Sequence, residues 1–258
     1  MSISLTLDGA VGTITLDRAA KRNAVTYEMW QALDAACRQL AADADVRVVV
    51  LRGAGAHFCA GADIADLLAQ RAEGDPTFME ANAMAENLLA ELPKPTIAVI
   101  QGDCIGGGCA LAIDCDIRLA ADDSRFGITP AKLGIVYPPS SLERAVALLG
   151  PAAKRLLFTG DLIGVGEAHR IGLVDEVLAP ETIDTRLHEL CTTLVQRSLL
   201  TQAATKEMIT AVTQIGSVPP TMAQRWAAEV ATSGEMAEGV AAFQERRTPR
   251  FAWHGATR

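Results

Sequence analysis

Gly106-Gly107-Gly108, followed by Cys109 and Ala110, are the residues of this 258-residue sequence best suited to chemistry through the backbone. Coming after the apolar run Thr96 to Ile100, they let the chain turn tightly at a strand end and approach a ligand closely. Cys109 to Ile113 then reads as a helix start. A helix N-terminus offers unpaired backbone N–H groups and the positive end of its dipole, which suits an oxygen that gains negative charge. Ala110, on the first turn, has no proton to give. The other small-residue turn, Ala60-Gly61-Ala62, reads by itself as a close-packed turn with Asp63 as the cap of a following helix. Asp114 lies one helical turn after Ala110 on the same face; beside Asp116 and near Arg118 it reads as half of a buried ion pair. Cys109 has no neighbouring base and reads as packing. His57 falls outside the turn that follows it.

The elements that must position these residues are legible from periodicity. Ile3 to Leu7 and Val11 to Leu16 alternate on either side of Asp8-Gly9-Ala10, which predicts a hairpin. Thr26 caps a helix with Met29, Leu33, Cys37 and Leu40 on its apolar face. Val46 to Leu51 is a buried-strand run, Pro76 to Leu92 a helix stopped by Pro93-Lys94-Pro95, and Ile117 to Ala120 a further strand. Strand, glycine turn and helix thus recur at 46–70 and 96–114, as in stacked β-β-α turns. From Glu181 to Arg247 the pattern is four or so helices broken at Ser198, Gly216 to Pro220 and Ser233-Gly234. A boundary near residue 196 divides a core, 1–196, from a helical region, 197–258, whose apolar residues need another surface to pack on.

Composition narrows the partners. Half of the residues are hydrophobic, and 31 acidic against 23 basic residues argue against a nucleic-acid surface. The six cysteines show neither a CxxC pair nor zinc spacing, so no metal site is expected and they read as reduced thiols of a cytoplasmic protein. No apolar stretch is long enough to span a bilayer, and the N-terminus lacks a signal-peptide pattern.

Several motifs in order carry a resemblance. Leu16-Asp17-Arg18 with Lys21-Arg22-Asn23-Ala24, Phe58-Cys59-Ala60-Gly61-Ala62-Asp63-Ile64, the glycine triple with Cys115-Asp116-Ile117-Arg118, Phe126-Gly127 and Lys132-Leu133-Gly134-Ile135 resemble the crotonase superfamily, the enoyl-CoA hydratase/isomerase family. Phe243-Gln244-Glu245-Arg246-Arg247 resembles its C-terminal signature. The resemblance implies an α/β fold, a ClpP/crotonase-like spiral of β-β-α turns with a C-terminal helical trimerisation region, and a homo-trimer or hexamer. It implies an acyl-CoA thioester as substrate, with CoA part of that substrate rather than a separate cofactor. The thioester oxygen would sit between the backbone amides of Ala62 and Gly107, which favour a charged enolate over the neutral substrate. Substrate contacts would come from Lys21, Arg22, Ala24, Ala60, Asp63 and Ile64, with Phe243 and Arg246 reaching the CoA of a neighbouring subunit.

The departures from that pattern bear on the reaction. Hydratases of the family carry one glutamate where Ala110 stands and another where Pro130 stands, and some relatives place an acid at the position of Pro138. Hydration needs a base for water and an acid for the α-carbon. Tyr137 remains, in a stretch, Ser124 to Tyr137, that resembles methylmalonyl-CoA decarboxylases; those keep a histidine where Ala62 stands and a glutamate where Ala110 stands. The alternatives are a decarboxylase-like enzyme using Tyr137 and a non-catalytic acyl-CoA binding subunit. Read without the resemblance, Tyr137 is a half-buried ring whose hydroxyl is satisfied locally.

Overall fold

Pairing of the first two sequence segments starts the architecture. The computed structural model describes residues 3–69 and 72–255. β1 (Ile3–Asp8) and β2 (Val11–Leu16) form the expected antiparallel hairpin, and α1 (Tyr27–Ala42) follows, with the Thr26 hydroxyl accepting from Met29 N. Met29, Leu33, Cys37 and Leu40 are buried, as their spacing predicts. β3 (Val48–Gly53) begins two residues later than the apolar run, because pairing with β2 starts at Val48. After α2 (Ile64–Leu67), a single turn, comes α3 (Phe78–Ala90). Its start is set by a capping box between Thr77 and Glu80 rather than by Pro76.

β4 (Thr96–Ile100) is entirely buried. The glycine triple does not follow it directly. A short strand, β5 (Asp103–Ile105), intervenes because the chain crosses to a second sheet before α4 (Gly107–Asp114) begins. β6 (Ile117–Ala121) and β7 (Arg125–Gly127) repeat that crossing. Then follow α5 (Pro139–Leu149), α6 (Ala152–Thr159), β8 (Ile163–Gly164), α7 (Val165–Arg170) and β9 (Glu176–Leu178). The larger sheet runs β1-β2-β3-β4-β6-β9, parallel from β2 onward; the smaller runs β5-β7-β8, with Cys59 bridging to Cys104 beside β5. Each turn of chain therefore gives one segment to each sheet and then a helix, a spiral of β-β-α turns.

Alternation along the central strands splits the core. Val49, Leu51, Ala98 and Ile100 face the α1, α3 and α4 side, whereas Val48, Val50, Ile97 and Val99 face Ile183 and Cys191 of α8 (Ile183–Val195). α9 (Leu199–Ile215), α10 (Pro220–Ser233) and α11 (Glu235–Glu245) complete the helical third. They hold a small cluster of their own around Trp226 and Trp253, and Lys206 on α9 reaches Asp116 at 2.9 Å. All six cysteines are free and buried. Among the described residues, no helix is long and apolar enough to cross a membrane.

Candidate active site

Two loops meet where α4 begins. Val25 N donates to Gly61 O at 2.8 Å and Asp63 N donates to Val25 O at 2.8 Å. In this parallel bridge the neighbours of Ala62 make the hydrogen bonds, so its own N–H faces the opposite side. Gly107 is the first residue of α4, where a helix leaves its amide without an internal partner. Among the described residues neither Ala62 N nor Gly107 N donates to a backbone or side-chain acceptor.

The glycines bring the two amides together. A carbon added to Gly61 would lie 3.2 Å from Gly107 N, and one added to Gly107 would lie 3.6 Å from Ala62 N. Gly61 (φ +97°) and Gly106 (φ +57°) adopt conformations that L side chains rarely take, so glycine is needed to turn both amides inward. Gly108 is required for space: an added carbon would stand 2.4 Å from Cys59 O. The Cys59 thiol ties the loop from within, donating to Asn23 O and accepting from Gly61 N, both at 3.3 Å. Burial pushes that thiol up to about 12, so it keeps its proton and acts as a strut. Trp30, edge-on to Phe78 at 6.5 Å, walls the site beside Gly107.

The segment from Lys21 to Ala24 lies against the same loop. Ala60 N donates to Arg22 O at 2.9 Å, and Ala24 O accepts from Arg18 at 3.1 Å. Asn23, buried in a left-handed conformation, accepts from Arg18 N and donates to Ala54 O and His57 O. Arg22 and Arg125 both pair with buried Asp103, at 3.0 and 2.6 Å, and their side chains stay more than half exposed. His57 lies outside the amide site, its Nδ1 accepting from Asp103 N. Asp63 behaves as a helix cap: it accepts from Ala65 N and Asp66 N and pairs with Arg18 at 2.5 Å. The Arg18 hydrogen bond, the largest influence, holds its carboxyl below the usual range. Ile64 is exposed. Phe243 is 86% exposed and Arg246, also exposed, caps α11; among the described residues no hydrogen bond or ion pair ties either to the Lys21 segment.

Tyr137 departs from the bland reading of its sequence position. Its ring is half-buried against the core, but its hydroxyl is fully buried and accepts and donates no hydrogen bond among the described residues. Burial pushes that hydroxyl well above the usual tyrosine range, with Glu86, Cys109 and Asp114 as further causes and Arg144 pulling the other way. Pro130 opens a short 3-10 turn, and neither Ala110 nor Pro130 supplies a carboxyl.

Sequence reasoning missed the polar cluster behind the tyrosine. Glu86 on α3 is buried, its carboxylate oxygens contacted by Asn82 Nδ2 at 2.7 Å and Ser141 Oγ at 2.5 Å. Asp114 is indeed half of a buried ion pair, but its partner is Arg144, at 2.5 Å, without hydrogen-bond alignment; Arg118 instead pairs with Asp175. Arg144 Nη2 also lies 3.9 Å from Glu86. The sequence signal for it is spacing: Asn82 and Glu86, four residues apart, share the face of Phe78, Ala81, Ala85 and Leu89.

Comparison with known proteins places these features in a family. Residues 6–254 match the model of the family described as "Enoyl-CoA hydratase/isomerase". A Mycobacterium bovis protein named "Probable enoyl-CoA hydratase echA8" is 32% identical over 250 residues, covering 95% of each chain. A "Crotonyl-CoA hydratase" of Syntrophomonas wolfei is 30% identical, covering 97% of each. The crystal structure of an enoyl-CoA hydratase/carnithine racemase from Magnetospirillum magneticum superposes with a TM-score of 0.91 at 31% identity, over 98% of this chain and 96% of that one.

Proposed function

This chain belongs to the enoyl-CoA hydratase/isomerase family, and we propose that it acts on an acyl-CoA thioester through an enolate formed by loss of CO2 from a malonyl-type acyl group. The thioester oxygen is held by the Ala62 and Gly107 amides, CoA arriving as part of the substrate along the Lys21 to Ala24 segment and Ala60. The bond from the α-carbon to the carboxylate breaks and its electron pair moves into the enolate, whose charge the two amides stabilise. The α-carbon then takes the proton of the Tyr137 hydroxyl, which leaves a tyrosinate to be reprotonated.

The buried, unpartnered Tyr137 hydroxyl is the observation that carries this reading. A hydroxyl pushed above its usual range stays protonated at neutral pH and so has a proton to give a carbanion. The hydration named for the relatives asks more of the site, since water must be activated as the α-carbon is protonated. Ala110, Pro130 and Pro138 leave the positions for that base without a carboxyl. The tail helices leave Ile209, Val212, Ile215 and Phe243 exposed, a surface that the proposed homo-trimer or hexamer would cover.

Tyr137→Phe tests the assignment. Because the hydroxyl has no partner to lose, the variant should unfold at the wild-type temperature or slightly above it. Its rate of CO2 release from malonyl-CoA or methylmalonyl-CoA should fall by roughly 10²–10⁴, the range for a lost general acid. Equal rates in both proteins would remove Tyr137 from the chemistry. Binding of CoA esters with no turnover of any thioester would favour the binding-subunit alternative.

A further inference from the structure

Two side-chain donors without partners stand beside the glycine loop that presents the Gly107 amide. Trp30 on α1 is completely buried, and its Nε1–H has no acceptor among the described residues. Its ring is held edge-on to Phe78, and Cζ2, bonded like Nε1 to Cε2, lies 3.7 Å from a carbon added to Gly107. The N–H side of the indole therefore faces the start of α4. Thr129 sits where a threonine ordinarily caps the turn that follows, but its hydroxyl makes no cap hydrogen bond with the Pro130–Lys132 turn. Its methyl lies 3.5 Å from a carbon added to Gly127, and its Oγ1 lies 3.3 Å from a carbon added to Gly106. The hydroxyl is thus turned toward the glycine loop, to which this segment is fastened by Gly106 N donating to Gly127 O at 2.7 Å.

Both donors reach one side of the loop. The carbons added to Gly106 and Gly107 each have Gly61 Cα as a neighbour, at 3.8 and 3.7 Å, and the second also has Ala62 N at 3.6 Å. Thr129 and Trp30 therefore stand beside the same pair of amides. A buried N–H without an acceptor costs stability, and such groups are kept where a ligand or water completes them. The thioester oxygen takes the two amides, so the two side-chain donors suit a second acceptor on the same acyl group. A carboxylate on the α-carbon lies two bonds from the thioester carbon and has lone pairs for both. Its negative charge also meets the positive end of α4, a helix of 8 residues. An acetyl group or an apolar acyl chain would leave both donors unpaired.

We infer that the Trp30 indole N–H and the Thr129 hydroxyl form the binding site for the carboxylate of a malonyl-type acyl-CoA. The assignment rests on the malonyl-type substrate proposed above and says how that substrate is told from other acyl-CoA esters. Both side chains touch the carboxylate, and neither exchanges a proton with it. Their hydrogen bonds are strongest while the carboxylate carries its charge and are lost as CO2 leaves, so the pair acts through binding.

The test is the difference in affinity between two esters that cannot lose CO2: sulfoacetyl-CoA, whose sulfonate takes the place of the carboxylate, and acetyl-CoA, which has no such group. Titration calorimetry would compare the wild type, Trp30→Phe and Thr129→Val, variants that delete the donor and keep an aromatic ring and a β-branched side chain respectively. The wild type should bind sulfoacetyl-CoA more tightly than acetyl-CoA. Each variant should bind sulfoacetyl-CoA about 10–100-fold more weakly, the range for a hydrogen bond to a charged group, with acetyl-CoA affinity nearly unchanged. Thr129→Val should unfold at the wild-type temperature, because the hydroxyl has no cap bond to lose. Equal weakening of both esters, an unchanged preference in either variant, or a wild type that binds the two alike would overturn the carboxylate site. The enolate reading survives that failure if CO2 is still released from malonyl-CoA. A sulfonate preference lost in both variants, with no CO2 release by the wild type, would keep the site and sink the enolate reading.

Discussion

Gly107→Pro should lower kcat/KM by about 10²–10³, or roughly 3–4 kcal/mol of transition-state stabilisation, while leaving the fold intact. Proline deletes one of the two inward amides and nothing else that the helix needs. Gly107 is the first residue of α4, where a missing N–H breaks no helical hydrogen bond and the proline ring is tolerated. The residue before a proline must be extended, and Gly106, at φ 57° and ψ −119°, occupies the mirror image of that region, open to glycine. The β-carbon meets nothing closer than Ala62 N at 3.6 Å. Gly107→Ala adds the same carbon and keeps the amide, so it separates the two effects. Steady-state kinetics with any thioester the protein turns over should show the proline variant far below the alanine variant. Equal rates would mean that the Gly107 N–H carries no charge in the transition state.

Gly108→Ala should cost nearly as much activity through geometry instead of chemistry. Its added methyl would stand 2.4 Å from Cys59 O and 2.8 Å from Cys59 Cβ, and neither atom belongs to a flexible side-chain end. The first turn of α4 must therefore move away from the Cys59 segment, taking the Gly107 amide out of line with Ala62. Overpacking of this kind costs about 1–3 kcal/mol of stability. A misplacement of about 1 Å at a reacting centre costs on the order of 100-fold in rate. Thermal unfolding should show a folded, less stable protein whose rate has dropped by that order. Wild-type activity at wild-type stability would show that α4 can shift without disturbing the amides.

Much of this arrangement was legible because it depends on local signals. Alternation located the β1–β2 hairpin, the 3-4 spacing of Met29, Leu33, Cys37 and Leu40 oriented α1, and small residues in two loops marked where backbone meets ligand. β5 was hidden because three residues are too few for periodicity, and its pairing partner β7 lies a full turn of the spiral later. The start of α3 depended on a side chain, Glu80 returning to Thr77, rather than on apolar spacing. The site was half legible for the same reason. Backbone donors follow from glycine positions, but the surroundings of Tyr137 are assembled from α3, α4 and α5, and Asp114 found its cation in Arg144, 30 positions away, instead of the nearby Arg118. Helical spacing shows that Glu86 faces inward; only the packing of three helices shows what it faces.

The central claim, an enolate held by two amides and protonated by a tyrosine without a carboxylate base in the family positions, is tested most directly by comparing two substrates on one preparation. Initial rates of CO2 release from a malonyl-type thioester and of water addition to crotonyl-CoA would be measured side by side, each against the uncatalysed rate. Decarboxylation well above background, with hydration at or near background, is the expected result. Rapid hydration of crotonyl-CoA with no release of CO2 would contradict the account, and would mean that a base lies within reach of the reacting carbons despite Ala110 and Pro130.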